Sequence, residues 1–192
     1  MIALVAFDLD GTLALSKQPL EDMMGEALAD LLDVAHVAVI SGGDWPQFEK
    51  DRSNLWLMPT TGTKLYTFKD GEWQRVYAEL FSSTEKEKIL EAFDLSLETT
   101  GFKPEKTWGN RIEDRGSQIT FSALGQQAPI QEKEHWDPDF AKRKVIQKDL
   151  RERLPNMSVN MGGATSIDIT QKGVDKAYGL KRLRDESQIP LD

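Results

Sequence analysis

The sequence predicts an α/β fold in which a core that begins with parallel β-α-β structure holds an inserted unit of α+β character. Three observations carry this. An apolar run, Ile2 to Phe7, ends in Asp8-Leu9-Asp10-Gly11, and a helical pattern then leads to a second apolar run, Val34 to Ile40. Residues 81–170 instead set charged helical stretches against segments that alternate polar and apolar. From about residue 171 the chain returns to a helix with parallel-sheet spacing. The expected division is therefore a core of 1–80 and 171–192 around an inserted unit of 81–170. No internal repeat or low-complexity tract interrupts this order.

Within the first segment, Ile2 to Phe7 reads as a fully buried parallel strand at the centre of a sheet. Pro19 to Asp33 carries Leu20, Met23, Met24, Ala27, Leu28, Leu31 and Leu32 at helical spacing, which predicts an amphipathic helix with proline near its first turn. The methionine pair reads as core filler. Strand, helix and strand of these lengths form a right-handed parallel crossover. Trp45 to Arg52 is expected as a short helix and Leu55 to Met58 as a third strand. Lys64 to Phe68 and Trp73 to Val76, joined through Asp70-Gly71, predict a β-hairpin.

In the inserted segment, Thr84 to Leu97 is expected as a charged helix, capped by Ser83 or by Thr84 with Glu87 three residues on. Arg111 to Ala123 reads as a strand. Pro138 to Leu154 is a Lys- and Arg-rich helix whose basic run reads as a solvated face. Met157 to Met161 and Ser166 to Thr170 are strands on either side of Gly162-Gly163. Lys172 to Arg184 is the last helix.

Composition narrows the function classes. A hydrophobic content of 39% and five tryptophans in 192 residues support a true core, which excludes disorder. The net charge of −8, from 24 basic and 32 acidic residues, argues against nucleic acid or an anionic membrane as partner. The chain has no cysteine, so disulfides and thiolate metal sites are ruled out. Ile2 to Phe7 has no charged leader and is too short for a signal peptide or a membrane span. The expectation is a cytoplasmic soluble protein.

The chemistry concentrates where the first strand ends. Side chains two apart on a strand share a face, so Asp8 and Asp10 project together at its carboxyl end, where open α/β sheets build their sites. One carboxylate can attack as a nucleophile and the other can pass a proton, with a hard cation between them. Ser41 closes the second buried strand, and its hydroxyl and the following amides, beginning with Gly42, suit a transferring phosphoryl oxygen. Lys176 falls in the first turn of the last helix, where the helix dipole disfavours a cation. An ammonium there could neutralise both a nucleophilic carboxylate and a phosphoryl group.

The run Ala6-Phe7-Asp8-Leu9-Asp10-Gly11-Thr12-Leu13 resembles the first motif of the haloacid dehalogenase superfamily, mostly Asp-nucleophile phosphatases and phosphomutases. Ser41 resembles its second motif. Gly173-Val174-Asp175-Lys176 followed by Leu180 resembles the third motif of its sugar-phosphatase branch. The resemblance implies a Rossmann-like core with an α/β cap inserted between the second and third motifs. It also implies Mg²⁺ held by Asp8 and Asp10, and an aspartyl-phosphate intermediate on Asp8.

The inserted segment resembles the cap of phosphomannomutases. Arg115 falls on that family's substrate-phosphate arginine, with Asn110 and Arg111 close by and Gly125 matching. Gly162-Gly163-Ala164-Thr165-Ser166-Ile167-Asp168 resembles the stretch whose Ser and Asp bond sugar hydroxyls, which implicates Ser166 and Asp168. The implied substrate is a phosphorylated sugar, and mutases of this type often pair through their caps, which implies a homodimer.

Two of the family's arginines are replaced by Gln126 and Lys133, a departure that counts against a mutase more than against a phosphatase. The family's fourth motif, Gly-Asp-x-x-x-(Asn/Asp)-Asp, has no counterpart before Asp192. The resemblance then implies a core short by one or two βα units, a cation site short of ligands and an exposed sheet edge. The expected function is Mg²⁺-dependent phosphoryl transfer from a sugar phosphate. The alternatives are a phosphomannomutase-type mutase and a catalytically impaired ligand-binding remnant. His36 and His135 read as structural, and Trp108 and Trp136 as cap packing. Glu113 and Asp114 stay open between solvated charges and ligands.

Overall fold

The computed structural model describes residues 4–9, 11–14, 20–42, 54–163 and 165–189. In chain order they form β1 (Leu4–Asp8), α1 (Asp22–Leu32), β2 (His36–Ile40), β3 (Leu55–Met58), α2 (Pro59–Gly62), β4 (Lys64–Lys69), β5 (Glu72–Ala78) and α3 (Ser83–Thr100). Then follow β6 (Ile112–Asp114), β7 (Gln118–Ser122), α4 (Ile130–Trp136), α5 (Ala141–Arg153), β8 (Met157–Met161), β9 (Ser166–Gln171) and α6 (Lys176–Ser187). The expected helix Trp45 to Arg52 lies outside the described residues, as do Asp10, Gly43, Ala164 and Asp192. No described helix is long and apolar enough to cross a membrane. The chain separates into two compact units, Met1–Glu79 with Val174–Asp192, and Leu80–Gly173.

The first unit is built on a five-stranded sheet in the order β1-β2-β3-β4-β5. β1, β2 and β3 run parallel, and β3, β4 and β5 antiparallel. Alternation along β2 decides the layers. Val37 and Val39 join Leu55 and Leu57 beneath Met24, Leu28, Leu31 and Leu32 of α1. Ala38 and Ile40 join Met58 and Leu65 beneath Leu180 and Leu183 of α6. A strand buried on both faces reads as a continuous apolar run, as β2 does.

β1 differs from expectation. It stands at the sheet edge with β2 as its neighbour, Ala6 is exposed, and none of its residues is fully buried. With no described strand on its other flank, β1 does not reach the burial of β2. Helix α1 also starts later than expected, with Glu21 as N-cap. Met23 points outward at 77% exposure, so only Met24 of the pair is core filler. The β4–β5 hairpin turns at Asp70 and Gly71, both at positive φ, as a two-residue turn matched to strand twist requires.

The second unit is a four-stranded antiparallel sheet, β6-β7-β9-β8. Ile119, Phe121, Val159, Ile167 and Ile169 face Ile89, Phe93 and Leu97 of α3 and Ile146 and Leu150 of α5. Phe93 stacks on Phe121 with centroids 4.9 Å apart. Helix α3 begins at a capping box made by Ser82 and Glu85, upstream of the expected cap.

The expected single strand Arg111 to Ala123 is a hairpin, because Arg115, Gly116 and Ser117 turn the chain between β6 and β7. All five residues of β7 are buried, so its alternation does not mark one wet face. Helix α4, absent from the expected elements, precedes α5. The basic run of α5 is not wholly solvated, because Arg143 is 1% exposed and shares the buried stripe of Ile146 and Leu150.

Candidate active site

Register places Asp8. It pairs with Ile40, as Ala6 pairs with Ala38, so Asp8 lies on the sheet face that carries α6. Residue Ser41 follows Ile40 directly, at the carboxyl end of the neighbouring parallel strand. Its amide donates to Met58 O at 3.1 Å and its carbonyl accepts from Thr61 N–H at 2.8 Å, so the end of β2 is tied down. Ser41 is buried, while Asp8 is half-buried.

Lys176 is the first residue of α6, after the N-cap Asp175, whose carboxylate accepts from Tyr178 N–H at 2.7 Å. Its Nζ donates to Asp8 Oδ2. The other oxygen, Asp8 Oδ1, accepts from the Leu9 amide at 2.9 Å. A lysine disfavoured by the helix dipole therefore finds its counter-charge on the end of β1.

Two features seat α6. Thr60, Thr61 and Gly62 take successive left-handed backbone angles. A Cβ on Gly62 would stand 2.5 Å from Gly179 Cα, so α2 and α6 meet backbone to backbone. Arg182 lies over the Tyr77 ring at 4.3 Å, and Tyr77 Oη donates to Gly62 O at 2.7 Å. Burial pushes the Tyr77 hydroxyl up to about 12, so it stays a donor at neutral pH.

In the second unit, the face of the sheet opposite α3 and α5 carries the polar set. Register aligns Glu113 with Thr120, Thr120 with Asp168, and Ser122 with Ser166. Thr120 Oγ1 donates to Asp168 Oδ1 at 2.7 Å and accepts from Gln118 Nε2 at 3.0 Å. Burial raises the Asp168 carboxyl above its ordinary value, with the Thr120 bond and Arg115 opposing. Arg115 forks onto Glu113, Nε to Oε1 and Nη2 to Oε2, both 2.9 Å. Glu113 is thus a partner of Arg115, whereas exposed Asp114 pairs with half-buried Lys86. Gly162 packs closely on this set: a Cβ there would press on Asp168 Oδ2 at 2.8 Å and on Ser166 Cβ at 3.2 Å.

Arg115, Ser166 and Asp168 therefore share one face. Arg111 does not join them. Its guanidinium lies over the Phe121 ring at 5.1 Å, on the helix-covered side, where burial lowers its proton affinity and Asp94 opposes that. Arg115 stands in the turn after β6, bonded back to Glu113, whereas Arg111 precedes β6 and its side chain turns toward Phe121. Thr120, Asp137 and Arg143 match no motif. The alternation of β7 could have pointed to Thr120, whereas no local pattern marks the other two.

Trp136 packs against the core of this unit. Trp108 carries Lys106 over its ring at 4.6 Å. His135 Nδ1 lies 2.6 Å from Gln131 O. Among the described residues no group of three or more His, Asp or Glu could by itself hold a metal ion.

A family model of the eukaryotic phosphomannomutases matches residues 24–190. The chain belongs to the phosphomannomutase family. The match spans the second unit and α6. Pairwise similarity reaches further back: a phosphomannomutase of Dendrobium officinale is 28% identical over 97% of the chain and 77% of its own length. One from Encephalitozoon cuniculi is 28% identical over 94% of the chain and 74% of its own length.

Solved structures extend the fold likeness to haloacid dehalogenase phosphatases. An IMP-nucleotidase of Plasmodium falciparum superposes with TM-score 0.66 at 15% identity over 98% of the chain. The trehalose-6-phosphate phosphatase C-terminal domain of C. albicans does so with TM-score 0.66 at 22% identity over 95%. The chain spans 51% and 61% of those two structures. Family membership makes this chain an enzyme of the phosphoryl-transfer class on the haloacid dehalogenase fold.

Proposed function

We propose that the chain transfers the phosphoryl group of a sugar phosphate to water through Asp8. The observation that carries this reading is the Lys176–Asp8 contact beside Ser41, which sets an acceptor for phosphorus beside a cation and a hydroxyl. An Asp8 oxygen attacks phosphorus in line. The phosphorus–oxygen bond to the sugar breaks, and Asp10, two positions on, gives its proton to the leaving oxygen. Water then attacks phosphorus, its proton goes to Asp10, and the bond to Asp8 breaks. Lys176, Ser41 and the Gly42 amide offset the charge that develops on the equatorial oxygens. Arg115, Ser166 and Asp168 read the substrate.

A hard cation fits the donors at the end of β1, a half-buried carboxylate on Asp8 followed by Asp10. Mg²⁺ would be held by these two residues, and when bound it would neutralise phosphoryl charge.

Mutase chemistry is the second reading, favoured by the phosphomannomutase relatives. Gln126 and Lys133 weigh against it. Lys133 Nζ donates to Gln126 O at 3.1 Å, and neither side chain supplies the bidentate fork that arginine offers a second phosphate. Phosphate release from hexose monophosphates with and without Mg²⁺, run beside interconversion of hexose phosphates primed with a bisphosphate, separates the two. Metal-dependent release without interconversion is expected. Interconversion without release would reverse the order of the readings.

A further inference from the structure

We propose that Arg143 is a positioning residue for sugar recognition, acting through the Gly162–Gly163 backbone on Ser166 and Asp168. The proposal rests on the reading that those two residues contact the sugar.

Arg143 is the only fully buried basic residue on α5. Its Nε donates to Asp137 Oδ2 at 2.8 Å, with the two side chains 1% and 0% exposed. Asp137 also accepts from the Lys142 amide at 2.9 Å and the Arg143 amide at 3.3 Å, so this carboxylate anchors both the helix start and the guanidinium. Arg143 Nη1 then donates to the carbonyls of Gly162, at 3.3 Å, and Gly163.

The consequence appears on the other side of the same glycine. A methyl group on Gly162 would displace the Asp168 carboxylate, 2.8 Å from Oδ2, and crowd Ser166 Cβ at 3.2 Å, and the Gly162 amide donates to Ser166 O at 2.9 Å. The backbone that Arg143 grips is therefore in contact with both sugar-reading side chains. Asp168 is held on Oδ1 by Thr120 and bounded at Oδ2 by Gly162. Removing the guanidinium alone would leave Asp137 buried without its counter-ion, a costly loss, so the informative change is one that keeps the cation but not the paired donors for the two carbonyls.

The test is binding to the full chain carrying Asp8→Asn, which removes the nucleophile so that ligand is held without turnover. Calorimetry would compare a hexose monophosphate with phenyl phosphate, which offers a phosphate but no sugar hydroxyl. Arg143→Lys keeps a cation beside Asp137 but cannot reach both carbonyls. It should weaken the hexose phosphate about tenfold, the worth of roughly one hydrogen bond to a charged group, and leave phenyl phosphate within about twofold. Combined with Asp168→Asn it should add less than its separate effect. Thermal melting checks that Arg143→Lys is folded; Arg143→Met combined with Asp137→Asn, which removes both charges together, serves as a second variant and should show the same selective loss.

Equal weakening of both ligands, or of neither, would overturn the positioning role. If Asp168→Asn and Ser166→Ala leave the hexose phosphate affinity unchanged, the substrate reading itself falls, and the proposal with it.

Discussion

Lys176 and Asp8, 168 positions apart in sequence, meet through a hydrogen bond from Nζ to Oδ2. Strand parity turns Asp8 toward the face that α6 covers, and the first turn of α6 ends at that strand. The contact unites the two ends of the first unit at one point of chemistry.

Replacing Lys176 with Met is expected to lower kcat by about 10²–10³, the usual worth of one oriented donor to a transferring group. Stability should change little, because both side chains are partly exposed, at 55% and 34%, and such pairs contribute little to folding. Steady-state kinetics beside a thermal melt checks this; a large fall in melting temperature with unchanged kcat would make the contact structural.

Gly62→Ala brings two faults together: a left-handed φ of 84° and a Cβ 2.5 Å from Gly179 Cα. Strain in φ alone costs on the order of 1–3 kcal/mol, and neither backbone can retreat cheaply. Urea unfolding should show a loss at least that large, and kcat should fall with it as α6 is displaced. Gly179→Ala, whose Cβ would sit 3.2 Å from Thr61 O, should be milder.

Asp137→Ala leaves the Arg143 guanidinium buried without its counter-ion and α5 without its anchoring carboxylate. Loss of one partner of a fully buried pair costs about 3–5 kcal/mol. Denaturant titration should show a loss in that range.

Asp168 gives the opposite sign. Burial raises its carboxyl in the folded chain, so the folded state binds that proton more tightly than the unfolded state. The stability this confers is present at acid pH. It is lost as pH rises from the unfolded carboxylate range, about 4, through the higher folded value. Asp168→Asn should therefore fold at neutral pH at least as stably as the parent, and the difference should shrink toward pH about 4. The same change should raise KM for a sugar phosphate. Unfolding curves at the two pH values test the first statement, and kinetics the second.

Much of this was legible in the sequence because it is written in local patterns. The apolar run of β2, the Asp70-Gly71 hairpin and the lysine at the head of α6 each carry their own signal over a few residues. Arg143 does not. Its neighbours Lys142 and Lys144 make a basic run on a helix, and only the distant Asp137 and the Gly162–Gly163 carbonyls make its burial tolerable. The edge position of β1 was likewise hidden, since an apolar run does not state how many strands flank it. Arg111 and Arg115 look alike in sequence, yet the β6–β7 hairpin sends them to different surroundings. In each case the deciding term is a tertiary contact rather than a propensity.

Asp8 is the proposed acceptor of the phosphoryl group. The most direct measurement is phosphate release from a panel of hexose monophosphates, with Mg²⁺ present, by the parent chain and by Asp8→Asn. Release by the parent, with loss of at least about 10³ in the variant and an unchanged melt, is the predicted result. Release by Asp8→Asn at the parent's rate would contradict the account and move the nucleophile elsewhere.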